Sequence, residues 1–400
     1  MIEFNMGVPG TILMAVVILL VGRFLQSRIS ILSKFFIPAP VIGGFLFSVI
    51  FSGLHYFQVI DFVFDAFLQK MLMIAFFATV GFSASFKFLK IGGKTVCLFL
   101  VCAATLVILQ NVLGVSLAWM LGQSGAFGMA TASIPMTGGH GTAAAFGPLL
   151  ENKFNLANGS SITIAAATFG LIAGSLLGGP IGRRLMAKHD LKPNEKLLKA
   201  AHVEIDLNED KVLKISEHGM FNAITNIAFA IGVGSVISYW FDYYSWIMPE
   251  YIGAMFAAAF IRNLSDYSGW FMIKDNEVTV IGNMTLSLFL AMALMNMNLI
   301  SLANLALPML IILCGQVLMM GLFAYFITFR VMGKDYDAAV MAVGHCGFGL
   351  GATPNAMANM EAFTAKNYPS PQAFFVLPIV GSLFIDFINS GVITTFLNFI

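Results

Sequence analysis

Two glycine-rich segments carry the side chains best suited to bind a small molecule. They run Thr137-Gly-Gly-His140-Gly-Thr142 and Gly344-His345-Cys-Gly-Phe-Gly-Leu-Gly351-Ala-Thr353-Pro354. Each interrupts a long apolar run. A backbone without side chains can approach a ligand closely and leaves its N–H groups free to donate hydrogen bonds. A helix that begins at such a break points its positive end at the ligand, which favours a carboxylate.

The candidate substrate-binding residues come from both segments and from the last apolar run. They are Thr137, Gly138, Gly139, His140, Gly141, Thr142, Gly344, His345, Gly347, Gly349, Gly351, Thr353 and Asn389. The two histidines either hold a substrate carboxylate or satisfy carbonyl groups of their own segments, and the pattern leaves both roles open. Neither has a second ligand at a spacing useful for a metal. Glycines in membrane helices also allow close packing, which fits a glycine triplet around a histidine less well.

Asp386 is the only acidic residue that the sequence places well inside an apolar run. An ionisable group at membrane depth is costly and marks a functional site by default. Ser382, Asp386 and Asn389 share one helical face because they are four and three residues apart. Their oxygens are the ligands that a small hard cation needs. The alternative is a hydrogen bond between helices.

The composition is that of an integral membrane protein. Hydrophobic residues make up 58% of the chain and charged residues 10%, whereas a soluble domain has about 25% charged residues. Ten runs approach the length of about 20 apolar residues that crosses a membrane. They are 8–27, 38–57, 67–86, 94–120, 160–183, 218–241, 247–262, 277–297, 302–329 and 371–397. Two further runs, 125–150 and 336–361, contain the glycine-rich breaks.

The distribution of basic residues orients these runs. If both termini lie outside the cell, every Lys and Arg except Lys70 and Lys153 falls on the cytoplasmic side. This holds only if both broken runs enter and leave on one face. We therefore predict an all-α membrane protein with about ten transmembrane helices and two re-entrant hairpins, 125–150 from outside and 336–361 from inside.

The two halves of the chain are predicted to be inverted repeats. Each has five spans with a hairpin before the fifth, and an odd number of spans per half reverses the orientation. The repeats would cover 1–183 and 218–400, joined by a polar cytoplasmic loop over 184–217. Short sequence echoes agree, among them Val41-Ile42-Gly43-Gly44 with Tyr251-Ile252-Gly253-Ala254, and Gly139-His140 with Gly344-His345.

Other polar and small residues within the spans are expected to be structural. Gln110, Asn111 and Gln316 should form hydrogen bonds between helices. Gly170, Gly174 and Gly178 should form a packing ridge, and the four cysteines are expected to be buried thiols without a disulfide or zinc pattern. The net charge of +1, with basic residues in short loops, gives no sign of nucleic-acid binding.

Several long stretches resemble the bacterial sodium/glutamate symporter family. They are Ile37 to Gly44, Ala75 to Gly81, Gly138 to Thr142, Leu286 to Met295, Met332 to Val340, Gly344 to Pro354, and Phe384 to Asp386. The resemblance runs nearly end to end and is weakest over 187–216 and 242–276. The family is similar in architecture to the 2-hydroxycarboxylate carriers.

The resemblance implies a Na⁺-coupled carrier of L-glutamate in the bacterial inner membrane, with both termini periplasmic. It also implies a homodimer, movement of a transport domain against a scaffold, and a substrate site at the two hairpin tips. Na⁺ as coupling ion would bind at Asp386, Asn389 and Ser382. Alternatives are a carrier of another dicarboxylate or hydroxycarboxylate, and an anion-selective channel. An enzyme is disfavoured, since the sequence shows no nucleophile–base or metal-ligand pattern.

Overall fold

Helices make up nearly all of the regular structure, as the apolar runs predict. The computed structural model describes residues 2–35, 37–57, 60–191, 215–244, 249–269, 273–295 and 305–400. The helices of the first half are α1 Gly7–Arg28, α2 Ser30–Lys34, α3 Ala39–Tyr56, α4 Phe67–Ser83, α5 Phe86–Met120, α6 Gly125–Ala130, α7 Gly139–Phe154 and α8 Gly159–His189. Helix α5 is kinked at Gly93, which has a φ of 58°.

The second half of the chain is also helical. Its helices are α9 Glu217–Tyr243, α10 Glu250–Ser268, α11 Asp275–Met295, α12 Ala306–Phe323, α13 Phe329–Val331, α14 Tyr336–Gly349, α15 Thr353–Thr364, α16 Pro371–Pro378 and α17 Ile385–Leu397. Two π-helical turns, Ala324–Thr328 and Ile379–Phe384, make α12–α13 and α16–α17 continuous.

Every predicted span falls on a helix. Within the described residues, seven helices are long and apolar enough to cross a membrane. The predicted spans 38–57, 67–86 and 247–262 correspond to α3, α4 and α10, which are shorter or carry more charge. Parts of the predicted spans around 247, 297 and 302, and most of the loop 184–217, lie outside the described residues. The count of ten crossings, the re-entrant course of the hairpins and the two repeats stay predictions.

Two features differ from expectation. Strands β1 Ile2–Met6 and β2 Ile60–Phe64 pair in parallel, although no strand was predicted. Each strand precedes a helix, so parallel pairing requires α1 and α4 to leave the sheet in the same direction. The expectation of buried cysteines was wrong for Cys97 and Cys314, which are exposed. Both lie on apolar membrane helices, where lipid can replace protein as the apolar surroundings.

The helices form two packed groups. Helices α1, α3, α4, α9, α10 and α11 pack mainly with each other and are here called the first body. Helices α5 to α8 and α12 to α17 likewise pack together and form the second body. Each body therefore takes its helices from both halves of the chain, and both broken runs belong to the second body.

A repeated helix crossing supports the predicted inverted repeats. Gly43 on α3 packs against Ile18 of α1, and Gly253 on α10 packs against Gly234 of α9. In each case a Cβ on the glycine would meet the backbone of the other helix. The sequence echo between residues 41–44 and 251–254 thus marks the same kind of close crossing in both halves.

Contacts between helix ends join residues that the predicted topology places on the same side of the membrane. Lys70 Nζ lies 2.7 Å from Glu250 Oε1, and both residues are predicted to lie outside. The backbone N–H of Phe86 donates to Asn263 Oδ1 over 2.8 Å, and both are predicted to lie inside. Which group faces the cytoplasm stays a prediction.

Candidate functional site

The two glycine-rich breaks meet inside the second body. A turn over 131–138 separates α6 from α7, and residues 350–352 separate α14 from α15. Gly139 has a φ of +59°, and a Cβ there would lie 2.8 Å from the Gly351 carbonyl oxygen. Residues with a side chain rarely adopt this backbone conformation. Glycine is therefore required at position 139 both for its conformation and for the close approach of the two breaks.

The helices that begin at the breaks have free N-termini. The N-cap of α7 is Gly138 and that of α15 is Ala352, and neither start is capped by a side chain. At α15, Pro354 has no N–H and the Asn355 N–H donates to the Ala352 carbonyl over 3.0 Å, which leaves the Thr353 N–H as the donor there. The first N–H groups of a helix have no partner within the helix and carry a partial positive charge. With 16 and 12 residues, both helices are long enough to have a dipole. Two adjacent positive helix ends can bind two carboxylates.

A cavity of about 580 Å³ lies between the two bodies at this point. The second body lines it with most of the predicted site residues: Thr137, Gly138, Gly139, His140, Gly141, Thr142, Gly351, Thr353, Ser382 and Asp386. The first body contributes residues of α1, α3, α4 and α11, including Thr79, Thr279, Asn283 and Ser287. The volume and the mixed polar and apolar wall suit a small organic molecule.

The threonine hydroxyls at the breaks are already engaged as donors. Thr137 Oγ1 donates to Gln110 Oε1 over 2.7 Å, and Thr353 Oγ1 donates to the Gly381 carbonyl over 2.7 Å. A hydroxyl has one hydrogen and two lone pairs, so in this structure both can only accept from a ligand. These two hydroxyls therefore offer no hydrogen to an anion, whereas the helix N-termini beside them do.

Buried amides hold the breaks in place, as expected for hydrogen bonds between helices. Gln110 Nε2 donates to the Gly349 carbonyl over 2.7 Å, and Gln110 Oε1 accepts from the Thr137 hydroxyl. One amide side chain therefore connects the two breaks. Gln316 Nε2 donates to the Gln110 carbonyl over 2.9 Å. Asn111 Oδ1 accepts from the Ser133 N–H over 3.1 Å. These side chains fix the non-helical backbone that the cavity needs.

His140 faces the cavity in a defined tautomer. Its Nε2 lies 3.0 Å from Thr168 Oγ1, and the Thr168 hydroxyl donates its own hydrogen to the Ile164 carbonyl over 3.0 Å. Nε2 must therefore supply the hydrogen of the His140–Thr168 bond. In a neutral ring Nδ1 is then a hydrogen-bond acceptor. This assignment favours contact with an ammonium group over the carboxylate role considered from the sequence.

Asp386 lies in the cavity wall with Ser382, one turn earlier on the same helix. Among the described residues no hydrogen bond or ion pair involves Asp386. A carboxylate away from bulk water is costly unless a cation or donor compensates it. The arrangement is suited to a bound Na⁺ or to the ammonium group of a substrate.

Four predicted residues lie away from the cavity. Gly344, His345, Gly347 and Gly349 belong to helix α14 rather than to the break that follows it. His345 is fully buried, its Nδ1 lies 2.9 Å from Thr328 Oγ1, and its ring stacks on Phe348. A Cβ on any of the three glycines would meet protein atoms closer than 3 Å. Their place is therefore explained by helix packing, and the sequence echo of His140 with His345 is not a structural equivalence.

Asn389 also lies outside the cavity lining, where it joins α17 to the first break. Its Nδ2 donates to the Ser133 carbonyl over 3.1 Å. Its Oδ1 and Ser133 Oγ are buried and have no hydrogen-bond partner among the described residues, and the same holds for Asn111 Nδ2 and Ser390 Oγ. Buried polar atoms are nearly always paired, so Asn389 Oδ1 and Ser133 Oγ can bind a water molecule or a cation next to the first break.

Sequence reasoning missed one charged residue of the cavity. Arg23, near the end of α1, lines it and is exposed. Arg23, Ser83 and Thr279 lie at helix ends that the positive-inside pattern assigns to the cytoplasm, so the cavity opens toward the predicted cytoplasmic side. The pairing of α1 with α3 and α11 brings Arg23 here, and no local sequence signal announces it.

Comparisons with known proteins agree with this architecture. The family model for the sodium/glutamate symporter matches residues 4–369. A sodium/glutamate symporter of Escherichia coli (strain K12) is 40% identical over 398 residues, which cover 98% of each chain. One of Haemophilus influenzae is 39% identical over 384 residues, which cover 96% of this chain and 95% of the relative.

Similarity of this extent includes both breaks, the residues between them and Asp386. The resemblance seen in the sequence motifs therefore extends over the whole fold, and the apolar helices make the chain a multi-pass membrane protein. The chain belongs to the sodium/glutamate symporter family.

Proposed function

We propose that this chain carries L-glutamate into the cell together with Na⁺. The observation that carries the proposal is the meeting of two uncapped helix N-termini and an unpaired carboxylate in one cavity between two bodies. Glutamate has two carboxylates, and the cavity offers two positive helix ends. His140 Nδ1 is an acceptor for its ammonium group, and the Asp386 carboxylate is an anionic ligand for the coupled Na⁺. The names of the relatives point to the same substrate and ion.

The binding mode follows from the groups that remain free. One carboxylate accepts hydrogen bonds from the first N–H groups of α7, and the other accepts from the Thr353 N–H at the positive end of α15. The ammonium group faces His140 Nδ1, which is an acceptor in the assigned tautomer. The residues Thr137, Gly138, Gly139, Gly141, Thr142, Gly351 and Thr353 shape the pocket, and Arg23 attracts the anion at the cytoplasmic mouth.

Two places are suited to Na⁺. Asp386 and Ser382 offer oxygens in the cavity wall, and a Na⁺ there would neutralise the carboxylate next to the substrate. Asn389 and Ser133, which meet beside the first break, offer a second pair of unpartnered oxygens. Two sites suit the energetics, since inward movement of one net positive charge gains about 2.3 kcal/mol per 100 mV. Glutamate alone carries negative charge, so more than one Na⁺ is needed to exploit the potential.

Transport is proposed to occur by an elevator-like movement of the second body against the first. The second body holds both breaks and Asp386, while the first provides the opposing wall. Near the cavity the bodies touch through apolar groups: a Cβ on Gly141 would lie 3.1 Å from Phe76 and 3.4 Å from Leu286. The rings of Phe256 and Phe387 lie 5.2 Å apart. Such contacts can slide without breaking directional bonds.

The remaining expectations complete the proposal. The halves 1–183 and 218–400 are inverted repeats, the protein is a homodimer in the bacterial inner membrane, and both termini are periplasmic. With that orientation the structure is inward-facing. A carrier of another dicarboxylate would keep the two helix ends but would not need an acceptor for an ammonium group. An anion channel would pass substrate without a Na⁺ gradient.

The test is uptake of labelled L-glutamate into proteoliposomes that contain the purified protein. We expect accumulation above the external concentration under an inward Na⁺ gradient, and an increase with an inside-negative potential. Unlabelled dicarboxylates without an amino group should compete weakly. Equal accumulation with K⁺ in place of Na⁺ would refute symport, and flux without any cation gradient would indicate a channel.

A further inference from the structure

A second opening in the protein surface shares no lining residue with the substrate cavity. It is a groove of about 740 Å³ between α8 and α12, lined by Phe169, Ala173, Leu176, Leu177, Leu318 and Phe326 among other apolar side chains. Leu176 is 60% exposed and Leu318 is 65% exposed, so the groove is open to the surroundings of the protein. Both helices are long enough to cross the membrane, and the groove therefore faces lipid.

The groove has the length of one membrane leaflet. On α8 it extends from Phe169 to Arg184, which at 1.5 Å per residue is roughly 22 Å. Half of the bilayer, with its headgroup region, is about 20–22 Å thick. An extended acyl chain can thus lie in the groove along its length while the lipid headgroup stays at the membrane surface.

The cytoplasmic mouth of the groove is positively charged. The Arg184 guanidinium lies 6.0 Å from the centre of the Tyr325 ring, and the Lys188 ammonium lies 5.5 Å from the same centre. These two residues are four positions apart on α8, so their like charges repel. Neither forms an ion pair with a described residue, and the nearest acidic residue along the chain, Asp190, lies beyond the end of α8.

The shape of α12 creates this mouth. A π-helical turn over Ala324–Thr328 interrupts the α-helix, and such turns are frequent at functional sites. Tyr325 and Phe326 lie in this turn and line the groove. The Tyr325 ring attracts both cations, Arg184 and Lys188, and so keeps them close together despite their like charges.

We propose that this groove binds one anionic phospholipid of the cytoplasmic leaflet. The phosphate lies between Arg184 and Lys188 and offsets their repulsion, and an acyl chain fills the space between α8 and α12. Both helices belong to the second body, so the lipid would move with the proposed transport domain.

Native mass spectrometry of the purified protein tests this site. Phosphatidylglycerol and phosphatidylcholine are titrated separately, and bound lipid is counted. Arg184→Gln should weaken phosphatidylglycerol binding about fivefold. Phosphatidylcholine binding should weaken less, because its choline cation already offsets the charge of its phosphate. Arg183→Gln is the control, since it removes the same charge from the neighbouring position, which does not line the groove. Equal effects of the two variants would show that Arg184 at the mouth of the groove does not bind the lipid phosphate.

A second pair of variants tests the groove itself. Gly321 lines it, and a Cβ there would lie 3.6 Å from side-chain atoms of Leu177 and Ile181, so Gly321→Leu should fill the space. Gly232→Leu on α9 is the control, since a Cβ there meets nothing within 4 Å. We expect Gly321→Leu alone to abolish the tightly bound lipid. Retained binding in that variant would place the lipid elsewhere.

Discussion

Replacement of Asp386 by asparagine should raise the Na⁺ concentration for half-maximal uptake by at least tenfold. Asparagine keeps the shape and one oxygen but removes the charge that a Na⁺ in the cavity wall needs. Tenfold corresponds to about 1.4 kcal/mol, which is below the 3–5 kcal/mol typical of breaking a buried charge pair, because Asp386 lines a cavity and is not fully buried. The affinity for glutamate at saturating Na⁺ should change much less.

The same variant separates the two roles left open for Asp386. If the carboxylate holds the substrate ammonium group, glutamate affinity falls even at saturating Na⁺, while Na⁺ binding without substrate stays normal. Gly391→Ala is the control on the same helix, since a Cβ at Gly391 meets nothing within 4 Å. It should transport normally. An Asp386→Asn variant that is unchanged in both affinities would remove Asp386 from the site.

Replacement of Gly139 by alanine should abolish transport while the protein still folds. The left-handed backbone conformation costs a residue with a side chain about 1–2 kcal/mol. In addition, the new Cβ would press on the Gly351 carbonyl oxygen and push the two breaks apart. Because both helix N-termini must reach one small substrate, a shift of about 1 Å is enough for a large loss of rate.

Gly122→Ala is the matched control for this prediction. Gly122 also has a positive φ, +70°, but a Cβ there meets nothing within 4 Å. It therefore has the backbone strain without the collision. Size-exclusion profiles should be alike for the two variants, and uptake should fail only in Gly139→Ala. Comparable uptake by both would show that the approach of the breaks is not needed for transport.

Periodicity and composition were enough to locate the helices. The ends of most spans were predicted within a few residues, because the apolar runs are long and end at polar loops or at proline and glycine. The glycine ridge on α8 was also read correctly: Cβ atoms on Gly174 and Gly178 would lie 2.9 Å from carbonyl oxygens of Cys346 and Val343. Its spacing of four residues matches a helix face directly.

The first break was easier to interpret than the second. Around Gly139 the glycines stand at the start of a helix, where conformation and contact both require them. Glycines at 344, 347 and 349 allow the close packing of α14 instead. Both close packing and an unusual backbone conformation require glycine, so the sequence alone cannot distinguish the two roles. The roles of Arg23 and Ser133 depend on contacts between distant helices, for which the chain gives no local signal.

The cavity at the breaks is proposed to be the transport site, which opens alternately to the two sides of the membrane. Ala352 lines the cavity next to the second break, and its side chain is not a proposed ligand. A single cysteine at this position, Ala352→Cys, is made in a variant whose 4 native cysteines are replaced by alanine. A membrane-impermeant thiol reagent is then applied to right-side-out and to inside-out vesicles. We expect reaction from both sides, with protection when Na⁺ and L-glutamate are added together. Reaction from one side only would rule out alternating access at this cavity. Unchanged reactivity with both ligands present would show that the cavity is not the transport site.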